Sequence, residues 1–258
     1  MGPISTQTEP AQAELLAPSC LEEGSLTCTR VGTGEVLLNP VGALGHLFVN
    51  GICSRCGEVQ SLYDRFSDVK PHKWYSEAVQ FVVDNKLFSG VSANRFGRTG
   101  TMTRAMLVTV LYKLADSPEV EGENLFRDVS PQDYYYKPVV WASHHGVASG
   151  TGTTTFSPKR EITREQVAVM LLRYYLGVEP DAESSVNGDL SAYLDGGRVS
   201  AYARVAMAWA VENGIISGAE TEAGRVLNPG GSATRAEVAV MIMRFAELLE
   251  THGCWMPG

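Results

Sequence analysis

Three arginines recur at matching places in the chain: Arg104, Arg164 and Arg235, each directly after a threonine (Thr103, Thr163, Thr234). Asp68, Asp128 and Asp195 precede them, and Trp74, Tyr134 and Tyr202 lie between, with Tyr75, Tyr135 and Tyr136 alongside. Arginine presents a planar fork that grips a carboxylate with two N–H groups. At the first turn of a helix it also opposes the macrodipole, at a cost of ~0.3–1 kcal/mol when exposed. Its threefold recurrence there calls for an offset. One offset is an anionic ligand, which would also find unpaired backbone N–H groups at a helix start. The other is an internal ion pair with Asp68, Asp128 or Asp195. The two can coexist, because a guanidinium carries five N–H donors. The aromatics read either as platforms for the apolar faces of sugar rings or as packing that closes each helix against its loop. The aspartates read as ligand contacts or as caps of the turn before the first helix.

A second chemical cluster is the cysteines. Cys20, Cys28, Cys53 and Cys56 crowd the first 56 residues, and Cys254 stands in a C-terminal tail. Cys53-Ser-Arg-Cys56-Gly57 is the form of a zinc half-site, since a tight glycine turn lets both thiolates face one ion. Cys28 and His46 are the natural candidates to complete a tetrahedron around structural zinc. Disulfides, for example Cys20 with Cys28, are the alternative. The tandem copies themselves lack cysteine, so they must fold on core packing without covalent staples.

These residues need elements to position them. Each arginine closes a recurrent pattern: Phe66-Ser-Asp68, Phe126-Arg-Asp128 or Tyr193-Leu-Asp195, then an aromatic, an apolar helix, a Ser-Gly turn (Ser89-Gly90, Ser149-Gly150, Ser217-Gly218), and Thr-Arg. Such internal periodicity signals a repeat architecture. Helical spacing of Ala78, Val79, Val82, Val83 and Leu87 predicts a helix over 74–87, with counterparts at 138–145 and 201–213. The Thr-Arg sites open second helices from Thr103, over 163–176 and over 234–249. Thr163-x-x-Gln166 and Thr234-x-x-Glu237 are capping boxes, whereas copy one has Met106 at that position. One helix pair cannot bury its own apolar faces; three can if the second helices gather centrally. Trp141 and Trp209 fall within helical patterns and read as core. The expected fold class is therefore all-α: three helix-pair repeats in a pseudo-threefold bundle behind a small cysteine-rich β/loop module. The expected organisation is a flexible lead (1–19), a cysteine-rich module (20–60), three repeats (61–120, 121–187, 188–250) and a tail (251–258).

Composition narrows the functions. A formal charge of −8 over 258 residues argues against nucleic acid as partner. Neither a transmembrane run nor a secretory leader is legible. No phosphate loop, Ser-His-Asp ordering or recognisable carboxylate pair emerges. His144-His145 reads as a surface or cap pair. These features point away from an enzyme.

Taken together, the Phe-x-Asp motif, the following aromatic, the Ser-Gly turn and Thr-Arg-Ala-Glu resemble the S-layer homology family over about residues 64–250. The resemblance implies a pseudo-threefold helical spindle at the bacterial cell surface. Its inter-repeat grooves would bind secondary cell-wall polysaccharide, commonly with a pyruvylated terminal sugar. It implies ligand roles for Asp68, Trp74, Arg104, Asp128, Tyr134, Arg164, Asp195, Tyr202 and Arg235. Copy three departs furthest, with Leu227 in place of Phe96 and Phe156 and an insertion around 220–225, so its groove is the one expected to have drifted or closed. The cysteine segment resembles small cysteine-rich modules of bacterial surface proteins, with Val31 where a further cysteine would stand. Two other readings remain from sequence: an interaction module with degenerate grooves that binds a partner protein, and the anchoring fragment of a larger enzyme.

Overall fold

The computed structural model describes residues 12–29, 36–49, 52–58, 60–179 and 189–252. The chain divides into two compact units, Met1–Arg65 and Phe66–Gly258. Much of the expected lead, part of the link between repeats two and three, Val31 and Cys254 lie outside the described residues.

In the first unit, β1 (Gln12–Leu16), β2 (Gly24–Thr29) and β3 (Val36–Val41) form an antiparallel sheet in the order β1-β2-β3. A short hairpin follows, β4 (Phe48–Val49) with β5 (Ile52–Cys53), and then a single helical turn, α1 (Leu62–Arg65). The first strand thus begins within the segment expected to be a flexible lead. Several apolar residues of this unit face outward: Leu15, Leu16, Leu21, Val36, Leu38, Leu44, Leu47 and Ile52 are all at least half exposed.

In the second unit each repeat contributes a short first helix and a longer second one. They are α2 (Ser76–Asp84) with α3 (Arg104–Leu114), α4 (Tyr136–His144) with α5 (Arg164–Val178), and α6 (Arg204–Glu212) with α7 (Arg235–Thr251). Two 3-10 turns, Gly196–Arg198 and Ala201–Ala203, precede α6 and take up the start of the helix expected from Ala201. Thr103, Thr163 and Thr234 are N-caps whose hydroxyls accept from the backbone N–H three residues on. Both expected capping boxes form, at Thr163 with Gln166 and at Thr234 with Glu237.

The chain is mixed helix and sheet, which corrects the all-α expectation. Besides β1–β5, the insertion in repeat three folds as a hairpin, β6 (Ala219–Thr221) with β7 (Gly224–Val226). The extended residues before the second helices also pair across repeats, with bridges Thr101–Thr234, Thr103–Glu161 and Thr163–Ser232. The reason is local: each Thr cap holds β-region φ and ψ, so its neighbours present strand-like backbone to one another.

That pairing ties the repeats into a cycle. Met102 donates its N–H to the Ala233 carbonyl, Ala233 to Ile162, and Ile162 back to Met102, each at 2.9 Å. All three residues are buried. Helix packing follows the same cycle. α4 packs on α3 and α6 on α5, so each first helix lies against the second helix of the preceding repeat, and α2 closes the series on α7. A seam of aromatic contacts crosses the core, from Tyr112 to Trp141 (5.6 Å), Tyr174 (6.1 Å), Phe245 (5.6 Å), Trp209 (6.2 Å) and Tyr175 (5.4 Å). The two tryptophans are core residues.

Candidate functional site

The three aspartates latch loops inside their own repeats. Asp68 accepts from the backbone N–H groups of Phe96, Gly97 and Arg98 at 2.8–3.0 Å. Asp128 accepts from Phe156 and Ser157, and Asp195 from Leu227 and Asn228. They tie the start of each repeat to the loop before its second helix, rather than capping the turn before the first. Burial opposes ionisation of Asp68, but the three N–H donors outweigh it and hold its carboxyl below the usual range. The Ser-Gly turns serve the same closure. A Cβ on Gly90 would meet the Phe66 ring at 2.5 Å, and on Gly150 the Phe126 ring at 2.7 Å, so the turn must pass without a side chain.

The three arginines turn inward onto the next repeat. Arg104 donates Nε–H to the Phe156 carbonyl (3.0 Å) and Nη2–H to the Ser149 carbonyl (2.7 Å). Arg235 repeats this on Phe96 (2.9 Å) and Ser89 (2.6 Å) of repeat one. Each guanidinium also lies over a phenylalanine ring, at 4.7 Å from Phe156 and from Phe96. The macrodipole conflict is therefore offset by carbonyl oxygens and aromatic faces, without an ion pair to any of the three aspartates among the described contacts. The helix-start amides are engaged as well: Arg104 N–H donates to Arg160, Ala105 to Pro158, and the same pairs recur at Arg164 and Arg235. The first-turn amides expected to await an anion already hold the neighbouring repeat.

Arg164 differs in an instructive way. Its Nε–H still reaches the loop carbonyl, at Leu227 (2.8 Å), but Nη1 pairs with Glu237 (2.9 Å). Leu227 removes the ring that the other two arginines cover. The carbonyl of Ser217, equivalent to Ser89 and Ser149, is held instead by Arg225 from the inserted hairpin. Glu237 thus serves both the Thr234 cap and the Arg164 cation.

Electrostatics show how the expected residues assemble. Burial pulls all three guanidinium groups below their ordinary pKa, while Asp128 and Tyr202 push back on Arg104, Glu237 and Asp195 on Arg164, and Asp68 and Tyr134 on Arg235. Trp74 joins Arg164 and Asp195 in the lining of one groove. Each set of aromatic, arginine and aspartate therefore draws one residue from each of the three repeats. Trp74, Tyr134 and Tyr202 are 66%, 65% and 60% exposed. Trp74 and Tyr134 stand edge-on against the buried rings of Tyr75 and Tyr135. Tyr202 is held by Glu165, whose carboxylate also accepts from Ser200.

The groove holding Trp74 has a volume of about 790 Å3 and is lined chiefly by repeat three, including Leu194, Ile216, Arg198 and Arg244. The groove expected to have drifted or closed is an open cavity, with Leu227 on its wall where the other copies have phenylalanine. Its cations are Arg164, Arg198 and Arg244, against Asp195 and Glu237, both of which already accept hydrogen bonds. Neither Arg198 nor Arg244 was singled out in the sequence: Arg198 has no counterpart in the other copies, whereas Arg244 continues a basic position shared with Lys113 and Arg173, nine residues after each Thr-Arg arginine, which was a signal available in the pattern.

A family model for the S-layer homology domain matches residues 65–105, 125–168 and 192–239, one match per repeat. The chain belongs to the S-layer homology domain family. S-layer homology domains are cell-wall anchoring modules. The chain is 31% identical over 66% of its length to the surface-layer 125 kDa protein of Lysinibacillus sphaericus, of which it spans 14%. It is 27% identical over 72% of its length to an amylopullulanase of Thermoanaerobacterium thermosulfurigenes and 28% over 70% to exoglucanase XynX of Acetivibrio thermocellus, spanning 10% and 16% of them. The chain thus spans less than a fifth of these relatives, and the enzymes match through the S-layer homology region. No helix among the described residues is long and apolar enough to cross a membrane.

The first unit holds a separate constellation. Cys20, His46, Cys53 and Cys56 bring their ligand atoms within 4.8 Å of one another. Cys28, the expected fourth member, lies in β2 opposite Ala13 and Leu37. Its side chain lies outside the described residues.

Proposed function

We propose that the chain is a non-catalytic anchor that holds a bacterial surface protein to the cell wall by binding an acidic secondary polysaccharide in its inter-repeat grooves. The groove at Trp74 is the principal site. The observation that carries this reading is an exposed tryptophan, braced by Tyr75, beside a groove lined by three arginines and two carboxylates. A sugar ring would lie on the Trp74 face, and a pyruvate ketal carboxylate would meet Arg198 and Arg244 at the rim, with Arg164 at the floor. Tyr134 and Tyr202 would form the corresponding walls of the other grooves. Asp68, Asp128 and Asp195 would shape them through the loop amides, and Arg104 and Arg235 would act from beneath by holding the walls and lending positive potential. The location that follows is extracellular, at the cell wall.

Titration calorimetry with purified wall polysaccharide, with and without its pyruvyl groups, tests this. Trp74→Ala should weaken binding about tenfold, the size of a lost ring contact of ~1.5 kcal/mol. Arg198→Ala should weaken it similarly and abolish the preference for the pyruvylated polymer, with the melting temperature unchanged in both variants. No heat with either polymer, or full affinity in both variants, would refute the reading. Binding of a protein partner through this groove, with no response to polysaccharide, would favour the interaction-module alternative.

A further inference from the structure

Few apolar side chains are buried among the residues of the first unit whose exposure is described. The buried residues among them are Cys20, Gly24, Cys53 and Leu62, while Leu15, Leu16, Val36, Leu38, Leu44, Leu47 and Ile52 are at least half exposed. A domain this small needs a staple when its core is so thin, and the usual ones are disulfides or a structural metal. Two of its few buried side chains, Cys20 and Cys53, are thiols. We propose that Cys20, His46, Cys53 and Cys56 form a closed tetrahedral zinc site that folds this unit.

The geometry is that of ligands around a common ion. Bond lengths of ~2.3 Å to sulfur and ~2.05 Å to nitrogen at tetrahedral angles place two sulfurs ~3.8 Å apart and a sulfur and nitrogen ~3.6 Å apart. Cys20 Sγ and Cys53 Sγ are 3.7 Å apart, and Cys56 Sγ and His46 Nδ1 are 3.5 Å apart. Both cysteines of the first pair are free thiols, as is Cys56. Three thiolates and an imidazole make a soft donor set suited to zinc, with no open position for catalysis.

The surroundings hold these ligands in place. His46 turns its other nitrogen, Nε2, onto the Glu58 carboxylate at 3.2 Å. That contact fixes the ring and leaves Nδ1 for the metal, the usual carboxylate support behind a histidine ligand. Arg55, between the two cysteines, donates to the Gly45 carbonyl at 2.9 Å and so ties the Cys53–Cys56 turn to the segment carrying His46. The turn closes through Gly57 N–H to the Cys53 carbonyl, with Gly57 at φ +78°. Cys20 enters from the β1–β2 connection, so one ion joins three separate stretches of chain. Binding replaces three thiol protons by one Zn2+, releasing the protons to solvent and leaving the site with a net charge of −1.

The test is metal analysis of the full chain purified under reducing conditions without chelator. One zinc per chain is expected, and replacement by Co2+ should give the visible bands of a tetrahedral ion and thiolate charge transfer in the near ultraviolet. Cys20→Ser and Cys53→Ser should each lose at least nine-tenths of the metal, Cys28→Ser should keep it, and Glu58→Gln should weaken zinc affinity 10–100-fold while leaving a folded unit. Chelation should raise amide exchange in residues 12–58 and leave residues 66–252 unchanged. A chain free of zinc that gives no cobalt bands after reduction overturns the proposal. A Cys20–Cys53 disulfide in the chain as isolated, or metal loss in Cys28→Ser equal to that in Cys20→Ser, does so too.

Discussion

Arg104 and Arg235 each place two N–H groups on carbonyl oxygens of the next repeat while nearly buried. Truncating either to alanine leaves two carbonyls without a donor and a void against phenylalanine. Each abandoned group costs ~1–3 kcal/mol, so Arg104→Ala and Arg235→Ala should each destabilise the second unit by about 3 kcal/mol in urea unfolding. Arg104→Lys should recover little of it, because one ammonium cannot reproduce the fork. Asp68 gives a pH signature. Its folded pKa lies below the unfolded value of ~3.9, so its contribution is present above that pH and is lost as pH falls through the folded pKa. Asp68→Asn should therefore lower stability at pH 7 and flatten its decline below pH 4 in an acid titration followed by circular dichroism. The types and places of these residues were legible in the sequence, because a threonine cap fixes where a helix starts. Their destinations were not, because the acceptors are main-chain atoms of another repeat, which no side-chain pattern records. Cys20 escaped for a similar reason: spacing marked the Cys53–Cys56 pair, but only folding brings the β1–β2 connection to it.

Among the elements, the inserted hairpin in repeat three has an effect out of proportion to its size. Arg225 on β7 lies over Tyr193 at 4.9 Å, pairs with Glu220 and holds the Ser217 carbonyl. The equivalent carbonyls in repeats one and two belong to Arg235 and Arg104. Arg164, with that acceptor taken and Leu227 in place of a ring, relies on Glu237. Glu237→Ala should therefore destabilise the second unit by about 2 kcal/mol, more than the ~1 kcal/mol of a capping box alone. Arg225→Ala should reduce that penalty by freeing the Ser217 carbonyl, an interaction readable in a double-mutant cycle. The helices themselves were well marked by apolar spacing and caps. The strands were less so: hairpin β6–β7 has three residues a side, too short for an alternating pattern to stand out.

At the scale of the molecule, the sequence repeat and the packing unit are different objects. α2 and α3 belong to one repeat, yet α2 packs on α7 and α3 on α4. Periodicity reveals three copies but is silent on this exchange, since a helix face is equally apolar whichever neighbour covers it. Removal of α7 should consequently cost more than a third of the helical signal, because it uncovers α2 and breaks the Met102–Ala233–Ile162 cycle. Truncation before Thr234, followed by circular dichroism and amide exchange, should show loss of protection in α2 as well as in repeat three.

The same exchange decides where mechanical load would enter. A cargo joined through residues before Phe66 pulls on the repeat that holds α2, and one joined after Thr251 pulls on α7. These two helices are clasped to each other and reinforced by Arg235 on Phe96 and Ser89. Tension from either end therefore arrives at one seam, the place where the first repeat meets the last. An anchor built this way should resist peeling from its ends, and pulling it in a force spectrometer should show a single rupture at that seam rather than one repeat at a time.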